Sequence, residues 1–474
     1  MTRRFSRSSA LKRSATVQRL AWLDGLRMFA AVMILLYHAQ LLFTQYRYTP
    51  QPTGLFHNLQ QLIPEVNSLT TLSGWIHLLG TPALFGFQFV DVFVLLSGFS
   101  LMLATRQRSF DWLAFWQKRL SRLLWPFWTV ALLAYPILWV VGAATQSYIP
   151  PTWNLFAAST FPLLFDYHGS LLLPISGPWW FIPLILSFTL CFPVLHRLMY
   201  RWGGRNLVVI SLVVTLGYRA LATYVFGGQP TYTMLDTAHG PLPFYVLLAK
   251  LSTFVIGMVA AQAYKHGRGV LFWSQAKALQ VGTLLYGVGF ICQFYKLGWL
   301  VCDLLVPLGL TLVCMVVCRW LTTARWSHHL ALSLGKYSYS FFLIHNFVVD
   351  RTLGLVVQGD GVRYAIALPL MILGTLILAA IADAVTPLLQ RALRLLWQDI
   401  DYLLARKPAV AIPSWVPSVG DTVRYLDQQW TVQAVEVLLD DGNYYLCKIA
   451  NDQQTRWVSQ EQLQLMAPTV MARR

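Results

Sequence analysis

The sequence predicts an all-α polytopic membrane protein of about ten transmembrane helices, followed by a small cytoplasmic β-barrel of the SH3-like kind. Of the 474 residues, 56% are hydrophobic and only 12% are charged, which is unlike the composition of a soluble domain. The apolar residues gather in runs of about 20 residues, the length that a helix needs to cross a bilayer. From about residue 418 the pattern changes to short stretches with partial two-residue alternation, which favours strands.

Ten apolar runs are candidate spans. They cover approximately residues 21–44, 82–104, 123–144, 175–197, 206–227, 241–263, 276–295, 299–320, 332–353 and 363–386. Lys and Arg gather before the first span and after every second span that follows. Because cytoplasmic loops are rich in these residues, we predict a multi-pass protein of the plasma (inner) membrane with both termini in the cytoplasm.

The net charge of +17 is compatible with nucleic-acid binding or with a membrane surface. The basic residues cluster at the ends of apolar runs, so we predict membrane lipids as partners and no nucleic acid. The six cysteines contain no CxxC pair, and we therefore predict neither a disulfide framework nor a metal site.

Four regions are predicted along the chain. Residues 1–20 form a basic cytoplasmic tail, 21–400 the transmembrane domain, 401–417 a Pro-rich linker and 418–474 a small cytoplasmic β domain. The tail precedes a first helix that we expect to be retained, because no convincing signal-peptide cleavage site follows it. Within the β domain, Asp441-Gly442 is a hairpin turn signal. Docking of a cytoplasmic partner and a passive appendage are both open for this domain.

Two ionisable residues lie in the first apolar run. Arg27 and His38 are eleven residues apart, about three helical turns, which places them on nearly the same face and roughly 16 Å apart along the axis. Ionisable groups inside a bilayer are costly and are therefore functional candidates. Asp24, three residues before Arg27, is the predicted local partner of that arginine. For His38 the alternative is a core histidine that a neighbouring group satisfies.

Four segments in order carry a resemblance to a known family. They are LDGLRMFAAVMILLYH with Arg27 and His38, DVFVLLSGF from Asp91, FWQKRLSRLLWPFW with Arg119 and Arg122, and LGKYSYSFFLIHNF with His345. Together they resemble the acyltransferase 3 family of integral membrane O-acyltransferases over residues 21–347. One segment departs from the pattern: where many members have an acidic pair in the fourth span, this chain has Ile185 and Leu186.

The resemblance implies an enzyme that moves a short acyl group, acetyl in the first place, from cytoplasmic acyl-CoA to a hydroxyl. The acceptor would be a cell-envelope glycan or a lipid-linked saccharide. An imidazole suits general acid–base chemistry near neutral pH, so His38 is the predicted base. Arginine binds phosphate in a bidentate manner, so we predict that the cations of the first and third segments hold the CoA phosphates: Arg27, Arg119 and Arg122.

The roles of two further candidates stay open. Asp91 is a catalytic candidate that can pair with Arg27 or orient His38. His345 can line the acceptor path or support His38, and the alternative is a structural hydrogen bond within the bundle. The Ser97-Gly98 pair predicts close helix packing rather than a nucleophile, because no G-x-S-x-G element surrounds it.

Two intramembrane cations, Arg219 and Lys250, are predicted to bind the acceptor, with internal salt bridges or snorkelling as the alternative. A glycan or lipid exporter that uses the intramembrane charges as its path is the competing function. The chain shows no internal repeat, which disfavours that interpretation.

Overall fold

The computed structural model describes residues 20–46, 48, 50–61, 70–105, 111–147, 149–152, 177–227, 245–404, 417–437 and 445–466. The chain divides into two compact units, Met1–Gln390 and Arg391–Arg474. The first unit is helical, and the second contains a β-sheet.

Thirteen α-helices occur in the described part of the chain. They are α1 Ala21–Phe43, α2 Leu55–Gln60, α3 Leu72–Gly80, α4 Phe89–Ala104, α5 Trp112–Thr145, α6 Phe181–Trp202, α7 Gly204–Ala220, α8 Tyr245–Lys265, α9 Gln275–Cys292, α10 Cys302–Leu321, α11 Arg325–Gly335, α12 Ser338–Thr352 and α13 Gly361–Leu404. Short 3₁₀ segments precede α4 and α6, at Thr81–Gln88 and Gly177–Trp180.

Nine helical segments of the described residues are long and apolar enough to cross a membrane. They are Ala21–Phe43, Gly74–Ala104, Trp112–Thr145, Pro178–Trp202, Gly204–Val225, Leu247–Lys265, Cys302–Leu321, Ser338–Val357 and Gly361–Gln398. They correspond to nine of the ten predicted spans, which confirms a multi-pass membrane protein. The predicted seventh span is α9, a helix of 18 residues whose first turns carry Gln275, Lys277 and Gln280. These polar residues make it less apolar than the nine, and the tenth crossing stays a prediction.

Helix α1 is buried among its neighbours, with Leu26, Ala30 and Leu35 fully covered. It packs against α4, α10, α11, α12 and the 3₁₀ segment before α4. Two glycines bring α4 and α8 into backbone contact: a Cβ at Gly98 would lie 2.1 Å from the Phe254 carbonyl oxygen, and one at Gly257 2.1 Å from the Leu95 carbonyl oxygen. The structure thus places Gly98 at a close helix contact, as the sequence predicted.

The second unit contains five antiparallel strands. They are β1 Thr422–Tyr425, β2 Gln428–Val437, β3 Tyr445–Ala450, β4 Thr455–Ser459 and β5 Gln464–Leu465, in the order β4-β3-β2-β1-β5. Their buried side chains include Trp430, Cys447 and Ile449. The sheet of the described residues is open, so the structure does not confirm the predicted SH3-like barrel. The predicted Asp441-Gly442 turn falls outside the described residues, between the paired strands β2 and β3.

Helix α13 continues four residues into the predicted linker and ends at Leu404. The residues at 401–404 contain no helix breaker, and the first proline beyond them is Pro408. The remainder of the predicted linker up to residue 416 lies outside the described residues.

Candidate active site

Two contacts that the structure describes, with Asp24 and with Ser100, hold Arg27 at the start of α1. Its Nη1 lies 2.9 Å from Asp24 Oδ1, which confirms the predicted local pair. Its Nη2 donates to Ser100 Oγ on α4 at 2.5 Å, and that hydroxyl donates in turn to the Leu96 carbonyl oxygen. The Arg27 side chain remains 29% exposed, so it is fixed in direction and still accessible from a cavity.

A cavity of about 310 Å³ opens beside Arg27, and we call it the basic cavity. Its charged lining residues are Asp24, Arg27, Arg119, Arg122 and Lys336. The structure therefore brings together the three arginines that were predicted to bind CoA. It adds Lys336, which was not among the predicted site residues although it lies inside the fourth motif.

Positive charge dominates the basic cavity, since four cations face one carboxylate. Arg119 lies within electrostatic range of Arg27 and Arg122. Its Nε atom is buried, and within the described residues it has no hydrogen-bond partner. Crowded, partly desolvated cations are costly unless an anion neutralises them, so this arrangement is suited to an anionic ligand.

The two predicted histidines meet across the bundle. The imidazole of His38 on α1 lies 5.2 Å from that of His345 on α12, measured between ring centroids, with 42° between the ring planes. His345 is fully buried, and its Nδ1 lies 2.6 Å from the Phe342 carbonyl oxygen. Because a carbonyl oxygen only accepts, Nδ1 carries the hydrogen, and Nε2 of the neutral ring holds a lone pair. Among the described residues no group bonds to that Nε2 atom.

Aromatic side chains connect the basic cavity with the histidine pair. Phe342 lines the cavity, and its ring centroid is 5.6 Å from that of His345. Phe93 and Phe181, also in the lining, lie against Phe342 at centroid distances of 6.2 and 5.2 Å. Ile185 completes this apolar side of the cavity.

Two hydrogen bonds fix α12, which carries both Phe342 and His345. The fully buried Trp179 donates its indole N–H to the Leu343 carbonyl oxygen at 3.0 Å. The Tyr339 hydroxyl donates to the Leu123 carbonyl oxygen on α5 at 3.0 Å. The histidine is therefore positioned from both sides.

The other intramembrane charges form a separate buried cluster, which we call the ion network. Lys250 Nζ lies 2.8 Å from Asp91 Oδ1 and 3.0 Å from Asp303 Oδ2. Arg219 Nη1 lies 2.8 Å from the same Asp303 oxygen, and its Nε donates to the Trp299 carbonyl oxygen at 2.9 Å. Asp91 thus pairs with Lys250, while Arg27 pairs with Asp24.

The ion network places Arg219 and Lys250 in the internal salt bridges that were the alternative to acceptor binding. Asp303 was missed from the sequence, although an acidic residue at the start of the eighth apolar run was a usable signal. The described residues contain no group of three or more His, Cys, Asp or Glu side chains that could hold a metal ion.

A bundle of membrane-crossing helices, with a basic cavity next to a pair of histidines of which His345 is fully buried, defines an integral membrane protein with an internal polar site. Residues 20–384 match the family model described as Acyltransferase domain, that of acyltransferase 3. The match covers most of the chain, and the protein therefore belongs to this family as a membrane acyltransferase, which confirms the resemblance of the four motifs. No curated protein and no solved structure matches the sequence.

Proposed function

We propose that the protein transfers a short acyl group, acetyl in the first place, from cytoplasmic acyl-CoA to a hydroxyl of a cell-envelope glycan or lipid-linked sugar. One observation carries this proposal. Arg27 and His38 lie on one face of α1; Arg27 opens into the basic cavity, and His38 meets His345 behind the aromatic side of that cavity. This arrangement fits a donor whose anionic end binds the cations and whose reactive end lies near the histidines.

In the proposed complex, Arg27, Arg119 and Arg122 bind the CoA phosphates. Guanidinium groups offer paired donors to phosphate oxygens, and partial burial strengthens each bond. The uncharged pantetheine arm then follows the apolar side chains of Phe93, Phe181 and Phe342. This path delivers the thioester toward the histidine pair.

The transfer itself is a general base reaction. His38 takes the proton of the acceptor hydroxyl while the oxygen attacks the thioester carbonyl carbon. The tetrahedral intermediate collapses, the carbon–sulfur bond breaks, and the CoA thiolate takes the proton from the histidinium. The products are an O-acyl ester and free CoA, and the histidine returns to its neutral form.

His345 is the proposed partner that orients His38. The hydrogen bond to the Phe342 carbonyl leaves the Nε2 lone pair of His345 ready to accept a bond. No His38–His345 hydrogen bond is present among the described residues, and we propose that one forms between the two neighbouring rings, 5.2 Å apart, when the donor binds. The second nitrogen of His38 is then fixed as the proton acceptor.

The ion network has no step in this mechanism. Its four charged side chains neutralise one another, and Arg219, Lys250, Asp91 and Asp303 are all largely buried. We assign them to holding α4, α7, α8 and α10 together rather than to catalysis or acceptor binding. The same neutralisation removes support from the exporter hypothesis, which requires charges along a path.

For the second unit we propose a closed SH3-like barrel that docks a cytoplasmic partner. The antiparallel strand order and the buried Trp430 and Cys447 support a folded β domain with a core of its own, and the barrel and its docking role are proposed on that basis. The domain boundaries at 20, 400 and 417, the plasma-membrane location and the cytoplasmic termini belong to the same proposal. Deleting residues 410–474 tests the barrel's role: thioester cleavage by the purified protein should persist, while acceptor modification in cells should fall.

The central experiment measures free CoA after incubation of the detergent-purified protein with acetyl-CoA and a mixed envelope-glycan pool. Chromatographic detection of CoA avoids interference from the six free cysteines of the protein. We expect CoA release and O-acetylation by wild type, and neither by His38→Ala. Release by both proteins would overturn the role of His38, and absence of acetyl-CoA binding to wild type would overturn the donor.

A further inference from the structure

Lys336 reaches the basic cavity because two backbones come unusually close. It lies in the link between α11 and α12, directly after Gly335. A Cβ at Gly335 would lie 2.6 Å from both the Cβ and the carbonyl oxygen of Asp24, so only glycine lets this link rest on α1. The contact places Lys336 in the lining that Arg27 shares with the α5 arginines.

The cations of the basic cavity differ in whether a carboxylate pairs with them. Arg27 is paired with Asp24. Within the described part of the chain, Arg119, Arg122 and Lys336 take part in no ion pair. The ammonium of Lys336 lies 4.4 Å from the ring centroid of Tyr337 and within electrostatic range of Asp383, and no described group accepts a hydrogen bond from it. The cavity therefore has more cationic capacity than a pyrophosphate uses.

The four cations differ in depth. Arg27 is partly covered, and Arg119 has a buried Nε atom. Arg122 and Lys336 are exposed, which places them at the mouth of the cavity. In an acyl-CoA, the 3′-phosphate is on the adenosine, at the opposite end from the thioester, and the pyrophosphate lies between them.

If CoA binds as in the proposed function, the depth of the four cations indicates which of them meets each phosphate of the donor. With the thioester toward the histidines, the pyrophosphate meets Arg27 and Arg119, and the 3′-phosphate arrives at the mouth. We propose that Lys336, beside Arg122, binds this 3′-phosphate and makes the protein selective for CoA over donors that lack it. A terminal phosphate carries a charge of about −1.5 to −2 at pH 7, which an ammonium matches as a point charge.

The test compares two donors on four proteins. Binding of acetyl-CoA and of 3′-dephospho-acetyl-CoA is measured with detergent-purified wild type, Lys336→Gln, Lys336→Arg and Lys277→Gln. Lys277 is the matched control, since it is an exposed lysine with a similar aromatic contact, 4.7 Å from the Trp273 ring, and lies outside the basic cavity. Thermal unfolding of each variant confirms that it is folded.

Loss of a charged hydrogen bond to phosphate corresponds to roughly ten- to hundredfold in affinity. We expect Lys336→Gln to lose this factor for acetyl-CoA and to bind the dephospho donor as wild type does. Lys336→Arg should retain the preference, and Lys277→Gln should not change it. Equal weakening for both donors, or none, overturns the role of Lys336 while the donor proposal stands. If wild type binds neither donor, both proposals are wrong.

Discussion

His38 and His345 face each other at a ring-centroid distance of 5.2 Å, although they belong to the first and the twelfth helix of the chain. The contact joins the first and the last of the four motifs that characterise the sequence. Each of these two motifs contributes one histidine of the pair. The fold creates the pair by packing α12 against α1.

The histidine pair predicts unequal losses on substitution. His38→Ala should lower the transfer rate by about 10²–10⁴-fold, the usual contribution of a general base, without changing acetyl-CoA affinity. His345→Ala should cost less, because His345 acts through His38 in the proposed mechanism, and the double variant should be no slower than His38→Ala. The measurements are kcat and donor affinity for each protein. His329→Ala is the control, since His329 is exposed on α11. Additive losses would contradict the pair.

Substitution of Arg27 should affect the donor and leave the chemistry of bound donor largely intact. Arg27→Ala removes a charged donor to phosphate, which is worth about 1.5–3 kcal/mol, so acetyl-CoA should bind roughly ten- to a hundredfold more weakly. Isothermal titration with a non-hydrolysable acetyl-CoA analogue measures this. Arg201→Ala, at an exposed position near the end of α6, should match wild type. Normal binding by Arg27→Ala would exclude this arginine from the donor site.

The ion network predicts a stability effect centred on Asp303. Because one carboxylate serves both Lys250 and Arg219, Asp303→Asn leaves two buried cations undercompensated and should cost about 3–5 kcal/mol. Adding Arg219→Met should recover part of this loss, since Asp303 is the carboxylate that Arg219 contacts, whereas Lys250 keeps Asp91 as a partner. Unfolding in detergent reports the change. Asp350→Asn is the control, because the Asp350 side chain is exposed and its contact with Arg351 is long, at 3.8 Å. An unchanged stability with a raised KM for the acceptor would instead favour acceptor binding.

The contact between α4 and α8 makes a prediction about two glycines. Gly98→Ala and Gly257→Ala each place a methyl group 2.1 Å from a carbonyl oxygen of the facing helix. The helices must separate, and overpacking of this kind costs about 1–3 kcal/mol. Gly217→Ala on α7 has open space around the added carbon and should be neutral or slightly stabilising. Equal stability of the three variants, measured by thermal unfolding, would show that the helices are not in contact.

Much of the fold was accessible from the sequence because the bilayer imposes long apolar runs. Nine predicted spans correspond to helices that can cross a membrane. The predicted ninth span, 332–353, was less accurate, since it merges the end of α11 with α12. Its apolar pattern does not reveal the break at Lys336 and Tyr337. That break depends on the contact of Gly335 with Asp24, which only the folded chain creates.

Site residues that belong to a sequence motif could be predicted. Residues whose role depends on which salt bridge they form could not. Arg27, Arg119 and Arg122 were proposed from local patterns, and the structure gathers them around one cavity. The partner of Asp91 was not accessible, because Lys250 is far away in the sequence and Asp303 was not considered. Which of several intramembrane charges form a pair depends on helix packing, and one sequence does not show it.

The eleven-residue interval between Arg27 and His38 fixes both the distance between them along the helix axis and the angle between them around it. Each inserted residue would move the histidine about 1.5 Å along α1 and turn it by about 100° around the axis. One extra residue would thus point His38 away from His345, while a whole extra turn would restore its direction and leave it too far from the cations for the same donor arm. In the proposed mechanism, one helix therefore sets the distance between the phosphate-binding cations and the reacting thioester, independently of the loops around it.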